Sequence, residues 1–74
     1  MTREEAQKIL RSFSKNLVSL RKKKKMTQVQ IAFEAGIDYK NYQKIESANP
    51  PDIQFSTLIR LLKFLDISLE HMLK

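Results

Sequence analysis

The stretch Thr27-Gln28-Val29-Gln30-Ile31-Ala32-Phe33-Glu34-Ala35-Gly36-Ile37-Asp38-Tyr39-Lys40-Asn41-Tyr42-Gln43-Lys44-Ile45-Glu46 decides the reading of this chain. Gly36 is the only glycine among 74 residues, and it separates two short amphipathic runs. Glycine takes φ > 0 without the Cβ clash that penalises other residues, and a tight turn between two helices needs such a residue. Ala32, four positions earlier, is small enough to let a second helix approach. Ile31, Ile37, Tyr42 and Ile45 supply apolar contacts on both sides of the turn. A small residue, a glycine turn and apolar positions at these offsets describe a helix-turn-helix, a motif whose second helix is shaped to enter a DNA major groove.

Outward from the turn the period is helical throughout. Thr27 is the expected N-cap of the helix before Gly36, with Met26 placed to staple against Ile31. Asp38 is the expected N-cap of the next helix, which runs to about Ser47. Upstream, Thr2 and Glu5 form a capping box. Ala6, Ile9, Leu10, Phe13, Leu17 and Leu20 then recur at three- and four-residue steps and give one apolar face. This first helix fades within Arg21 to Lys25, where cations suit the negative end of the helix dipole. Downstream, Pro50 and Pro51 make the segment from Ala48 to Ile53 a loop. A fourth helix is predicted from about Phe55 to Leu65, with Leu58, Leu61, Leu62 and Leu65 inward. Ser68 caps a last short helix, Leu69 to Leu73. Five helices with no repeat, linker or strand alternation read as an all-α chain, one domain over residues 1–74.

Composition removes several function classes. The chain has no cysteine, so neither a disulfide framework nor a thiolate metal site is available, and the single histidine, His71, makes a zinc centre implausible. No apolar run approaches the roughly 20 residues of a membrane span. The N-terminal Met-Thr-Arg-Glu-Glu lacks the apolar core of a signal peptide, which points to a cytoplasmic protein with no membrane association. There is no nucleophile–base pair, metal cluster or glycine-rich phosphate loop, so neither enzymatic activity nor a cofactor is expected. The net charge is +6, and nine of the fourteen basic residues fall in the first 25 positions. A polyanion, above all nucleic acid, is the natural partner of such a chain.

Arg21, Met26-Thr27-Gln28, Ile31-Ala32, Ala35-Gly36-Ile37, Ile45-Glu46 and the tail from Leu58 through Leu73 resemble the Cro/repressor-type (XRE) helix-turn-helix family. The likeness covers residues 10 to 73 and is most specific between Thr27 and Glu46. Residues Ile31 to Asp38 are also similar, less closely, to the small controller proteins of restriction–modification systems. The resemblance implies a five-helix, lambda-repressor-like domain that binds operator DNA, usually as a homodimer. It implies that Gln28 contacts a phosphate and packs toward the recognition helix, that Tyr39, Lys40 and Lys44 face base edges, and that Arg21 and Glu46 form an ion pair. Two departures stand out. Relatives often carry a glycine soon after the glutamate, where this chain has Ser47-Ala48-Asn49, with Asn49 as the residue able to take the left-handed region. Relatives also often place phosphate-binding cations in the following loop, and Ala48 to Ile53 contains no Lys or Arg.

The candidate DNA-binding residues are therefore Thr27, Gln28, Tyr39, Lys40, Asn41, Gln43 and Lys44. Lys40 and Lys44 are four apart, share a helix face and can donate to guanine O6 and N7. Tyr39 stacks on a thymine methyl or reaches a phosphate, and Asn41 lies nearer the backbone. Tyr42 occupies a normally apolar position and reads as partly core. Thr27 and Gln28 lie at a helix N-terminus, where free N–H groups favour a phosphate. The run Lys22 to Lys25 reads as a solvated helix end that supplies long-range attraction. Arg21, at the core's edge after Leu17 and Leu20, can pair with Glu46 in bidentate fashion. Phe55, Phe64 and Met72 are either core or, if clustered on the surface, a dimer face. The expected dimer contact runs through Phe64, Leu69, Met72 and Leu73. An antitoxin-type protein-interaction module that also binds DNA is the alternative function, and in that case a toxin would be a protein partner.

Overall fold

The computed structural model describes all 74 residues as five helices: α1 (Arg3–Lys23), α2 (Gln28–Ala35), α3 (Tyr39–Ile45), α4 (Phe55–Leu65) and α5 (Leu69–Met72). The fold is all-α, as the periodicity predicts. α1 is the spine: 21 residues at about 1.5 Å each span about 31 Å, close to the 34 Å longest dimension of the molecule. α2 packs on α3 and α4, and α5 closes back on α1. That closure is pinned by the Asn16 side-chain amide, which donates to the Met72 carbonyl at 2.6 Å.

The helix ends follow from local chemistry. Thr2 and Glu5 form the expected capping box, and Thr27 caps α2. Gln30 adds a second, reciprocal bond to the Thr27 N–H, so α2 also begins on a full capping box. Asp38 accepts the Asn41 N–H at the start of α3, and Ser68 accepts the His71 N–H at the start of α5. Gly36 ends α2 at φ 74°, ψ 37°, the left-handed region that favours glycine. Two non-glycine residues also take positive φ: Lys25 at 57° and Asp66 at 54°. Asn49 does not, contrary to the expectation that it would replace the missing glycine. Its side chain instead accepts a hydrogen bond from Arg11 at 3.2 Å, and the loop turns without a left-handed residue.

Every helix contributes to one core of eleven buried residues. These are Phe13 and Leu17 of α1, Ile31, Ala32 and Ala35 of α2, Ile37 in the turn, Tyr42 and Ile45 of α3, Leu61 and Leu65 of α4, and Met72 of α5. Leu20, Met26, Ile53, Leu58, Leu62, Phe64 and Ile67 pack around it. The α1 stripe is less buried at its start than its periodicity suggests. Ile9 is exposed, and Ala6 and Leu10 are half-buried. They border an open apolar hollow of about 450 Å³ whose far wall is Ile53, Leu58, Leu69 and Leu73.

The expected dimer face needs correction at Met72. This side chain is 0% exposed and belongs to the monomer's own core, so it cannot reach a second copy. Phe64 is half-buried against the core, and Phe55 stands in solvent. Of the four residues expected at the contact, Leu69 and Leu73 are the exposed ones, each 39% accessible.

Candidate nucleic-acid interface

α3 has two faces with different tasks. Tyr42 and Ile45 point into the core, 0% and 1% exposed. Tyr39, Lys40, Gln43 and Lys44 point outward. Positions 39 and 43, and 40 and 44, are four-residue neighbours on one helix surface. The first pair is linked directly, since the Gln43 amide donates to the Tyr39 hydroxyl at 2.9 Å. Lys40 and Lys44 have no intramolecular partner and extend two ammonium groups from the same side. Asn41 is half-buried, at the edge of this surface.

At seven residues, α3 is far below the length at which a helix holds itself in water. A polar hub fixes it from below. Arg21 of α1 donates from Nε to Glu46 Oε2 at 2.7 Å and from Nη2 to Glu46 Oε1 at 3.1 Å. Its Nη1 donates to the Met26 carbonyl at 2.9 Å, which secures the connection into α2. Gln28 of α2 donates from Nε2 to Glu46 Oε1 at 2.8 Å. The Tyr42 hydroxyl, one turn back on α3, donates to Glu46 Oε2. One carboxylate thus collects four hydrogen bonds from three helices, and no buried side-chain polar atom in the chain lacks a partner.

The electrostatics agree with the geometry. Burial alone would raise the Glu46 carboxyl, but hydrogen bonds from Arg21, Tyr42 and Gln28 outweigh it and hold the group below the usual glutamate range. The hydrogen bond to Glu46 raises Arg21 further above an already high value. Burial, and then the Glu46 carboxylate, drive the Tyr42 phenol strongly upward, so it stays a donor.

Thr27 and Gln28 lie beside this hub. The N–H groups of Gln28 and Val29 at the start of α2 have no acceptor within the chain, since the first turn of a helix leaves its N–H groups without an intrahelical partner. Gln28 packs toward α3, but through Glu46, so its amide nitrogen is engaged before any ligand arrives. Two contacts of arginines with the turn and the loop flanking α3 are among those not read from the sequence. Arg60 of α4 donates to the Gly36 carbonyl at 2.8 Å, fastening the turn. Arg11 of α1 reaches the loop after α3. Neither has a short-range signal, because the partners are 24 and 38 residues apart. The Tyr42–Glu46 bond was also not read from the sequence, although a tyrosine and a glutamate four apart on a helix is a signal that could have found it.

No group of His, Asp or Glu is placed to hold a metal ion, and no helix is long and apolar enough to cross a membrane. Comparison with known proteins agrees with the motif. Residues 17–72 match the helix-turn-helix family. The chain is also similar to a protein of Bacillus subtilis (strain 168) described as uncharacterized HTH-type transcriptional regulator YqaE, at 41% identity over 63 residues. That alignment covers 84% of this chain and 53% of the relative, so the chain spans about half the length of the curated relative it matches. No solved structure matches it significantly. With a left-handed glycine between two short helices, an outward basic face on the second of them and a family match over most of its length, the chain belongs to the helix-turn-helix family of the Cro/repressor (XRE) type.

Proposed function

We propose that this chain is a sequence-specific DNA-binding transcriptional regulator that sets α3 into the major groove of operator DNA. The observation that carries this reading is the division of α3. Its inner face is locked by Ile45, Tyr42 and the Glu46 hub, while Tyr39, Lys40, Gln43 and Lys44 stand free on the other side. Lys40 and Lys44 donate to guanine edges, Gln43 and Tyr39 read or pack against adjacent bases, and Asn41 meets the sugar–phosphate backbone. The Thr27 cap fixes the start of α2, whose free N–H groups at Gln28 and Val29 take a phosphate. The relative's description as a transcriptional regulator supports the same assignment. One seven-residue helix touches few base pairs, so the active species is a homodimer on a pseudo-palindromic site with half-sites about 34 Å apart. Leu69, Leu73 and the exposed edge of Phe64 form its contact.

The test begins with selection of a preferred site from a random-sequence duplex pool. Lys40→Ala and Lys44→Ala are then titrated on that site and on a scrambled duplex, beside thermal melts. Each substitution costs about 1–3 kcal/mol on the selected site and much less on the scrambled one, with the melt unchanged. If both variants keep wild-type discrimination, α3 is not reading bases through these lysines.

A further inference from the structure

The geometry points to a second DNA-backbone contact that α1 supplies: Arg11 and Lys15, with the free amide of Ala48, form a phosphate clamp just past the C-terminal end of α3. The inference rests on the reading of α3 as the groove-entering helix. The α3–α4 loop has no Lys or Arg of its own between Ala48 and Ile53. It is, however, stitched to one stripe of α1. Gln7 Nε2 donates to the Pro50 carbonyl at 3.3 Å, Arg11 Nη2 to Asn49 Oδ1 at 3.2 Å, and Ser14 Oγ to the Ser47 carbonyl at 3.5 Å. Positions 7, 11 and 14 lie on one helix face. α1 is thereby held along the loop that leaves α3, and its cations arrive where the loop lacks them.

The chemistry of the place suits a phosphodiester. Arg11, Ser14 and Lys15 face Ser47 and Ala48 across an open hollow of about 340 Å³. One Arg11 nitrogen is engaged with Asn49, and its remaining N–H groups have no acceptor. Lys15 is exposed and unpaired. The backbone N–H groups of Ala48 and Asn49 donate to nothing within the chain. The only carboxylate in the wall is Glu46, which Arg21 neutralises. A guanidinium, an ammonium and the Ala48 amide around one hollow match a phosphate monoanion with two non-bridging oxygens. Because the loop starts directly after α3, a phosphate there belongs to the strand that borders the groove α3 occupies.

The experiment measures binding to a 30-base-pair mixed-sequence duplex as a function of salt. It uses the wild-type chain, Lys15→Gln, Arg11→Gln with Lys15→Gln, and a control pair, Lys63→Gln with Lys74→Gln, which removes the same charge elsewhere. Each lost phosphate contact flattens the slope of log K against log salt by about 0.9. The single variant therefore loses about one unit and the Arg11/Lys15 pair about two, with a tenfold to hundredfold drop in affinity at about 0.1 M salt. The control pair changes the slope by much less. The Lys15 side chain is exposed and makes no hydrogen bond or ion pair within the chain, so its replacement leaves the melt unchanged, which a thermal scan of each variant checks. Equal slopes for the two double variants overturn the clamp while leaving α3's role intact. Failure of the wild-type chain to bind any duplex overturns both.

Discussion

Replacing Glu46 by glutamine removes one charge and almost no volume, so it isolates what the hub contributes. Glutamine keeps a single carbonyl oxygen where the carboxylate offers two. It therefore keeps either the bonds from Arg21 Nη2 and Gln28 or those from Arg21 Nε and Tyr42, and turns an NH₂ toward the other pair of donors. Removing one partner of a buried pair costs about 3–5 kcal/mol. Arg21 retains the Met26 carbonyl and 14% of its side-chain exposure, against 4% for Glu46, which lowers the expected cost to about 2–4 kcal/mol. A chain of 74 residues has a total stability of about 4–11 kcal/mol. With an unfolding entropy of about 2.1 cal/mol/K per residue, each kcal/mol moves Tm by about 6 °C. Melting at pH 7, followed by circular dichroism, is expected to fall by about 12–25 °C. A second reading comes from pH. The ionised form of Glu46 is favoured in the fold, so its contribution is complete above the unfolded value of about 4.3 and declines as pH falls below it toward the lowered folded value. The wild-type chain loses Tm in that window more steeply than Glu46→Gln. A fall of less than about 5 °C at pH 7, or equal acid slopes for the two proteins, refutes the reasoning.

Lys25→Gly relieves a left-handed side chain at φ 57° and is expected to stabilise the chain by up to about 1 kcal/mol after the added freedom of the unfolded chain is deducted, read as a higher Tm. Gly36→Ala meets no atom within 4 Å, so its cost is backbone strain alone, about 1–2 kcal/mol; a much larger loss in denaturant titration would mean that the turn is held by more than its φ. Ile45→Ala leaves a cavity under α3 and costs about 2–5 kcal/mol of stability, and DNA binding lost in this variant returns when the temperature is lowered enough to refold it.

What could be read from the sequence was local. The caps at Thr2, Thr27, Asp38 and Ser68, the glycine turn and the helix boundaries rest on residues within four positions of one another, and the structure has them in place. The family likeness extended this to one long-range pair, Arg21 with Glu46. Beyond that, apolar spacing names a face but not what lies opposite it. Ile9 shares the stripe of Phe13 and Leu17 yet lies outside the core, and Met72 looked available for a partner yet is enclosed by its own chain. The loop after α3 shows the same limit. Its lack of cations was plain in the sequence, but its attachment to Arg11 depends on a crossing of α1 that no local pattern encodes.

The division of α3 has an evolutionary consequence. Its attachment to the body of the protein runs through Tyr42, Ile45 and Glu46, while positions 39, 40, 43 and 44 carry no buried contact. Changes at those four positions are nearly invisible to folding. If α3 reads DNA as proposed, a lineage descending from this chain can drift through many outward sequences on an unchanged scaffold, acquiring new DNA addresses before selection on stability ever acts on it.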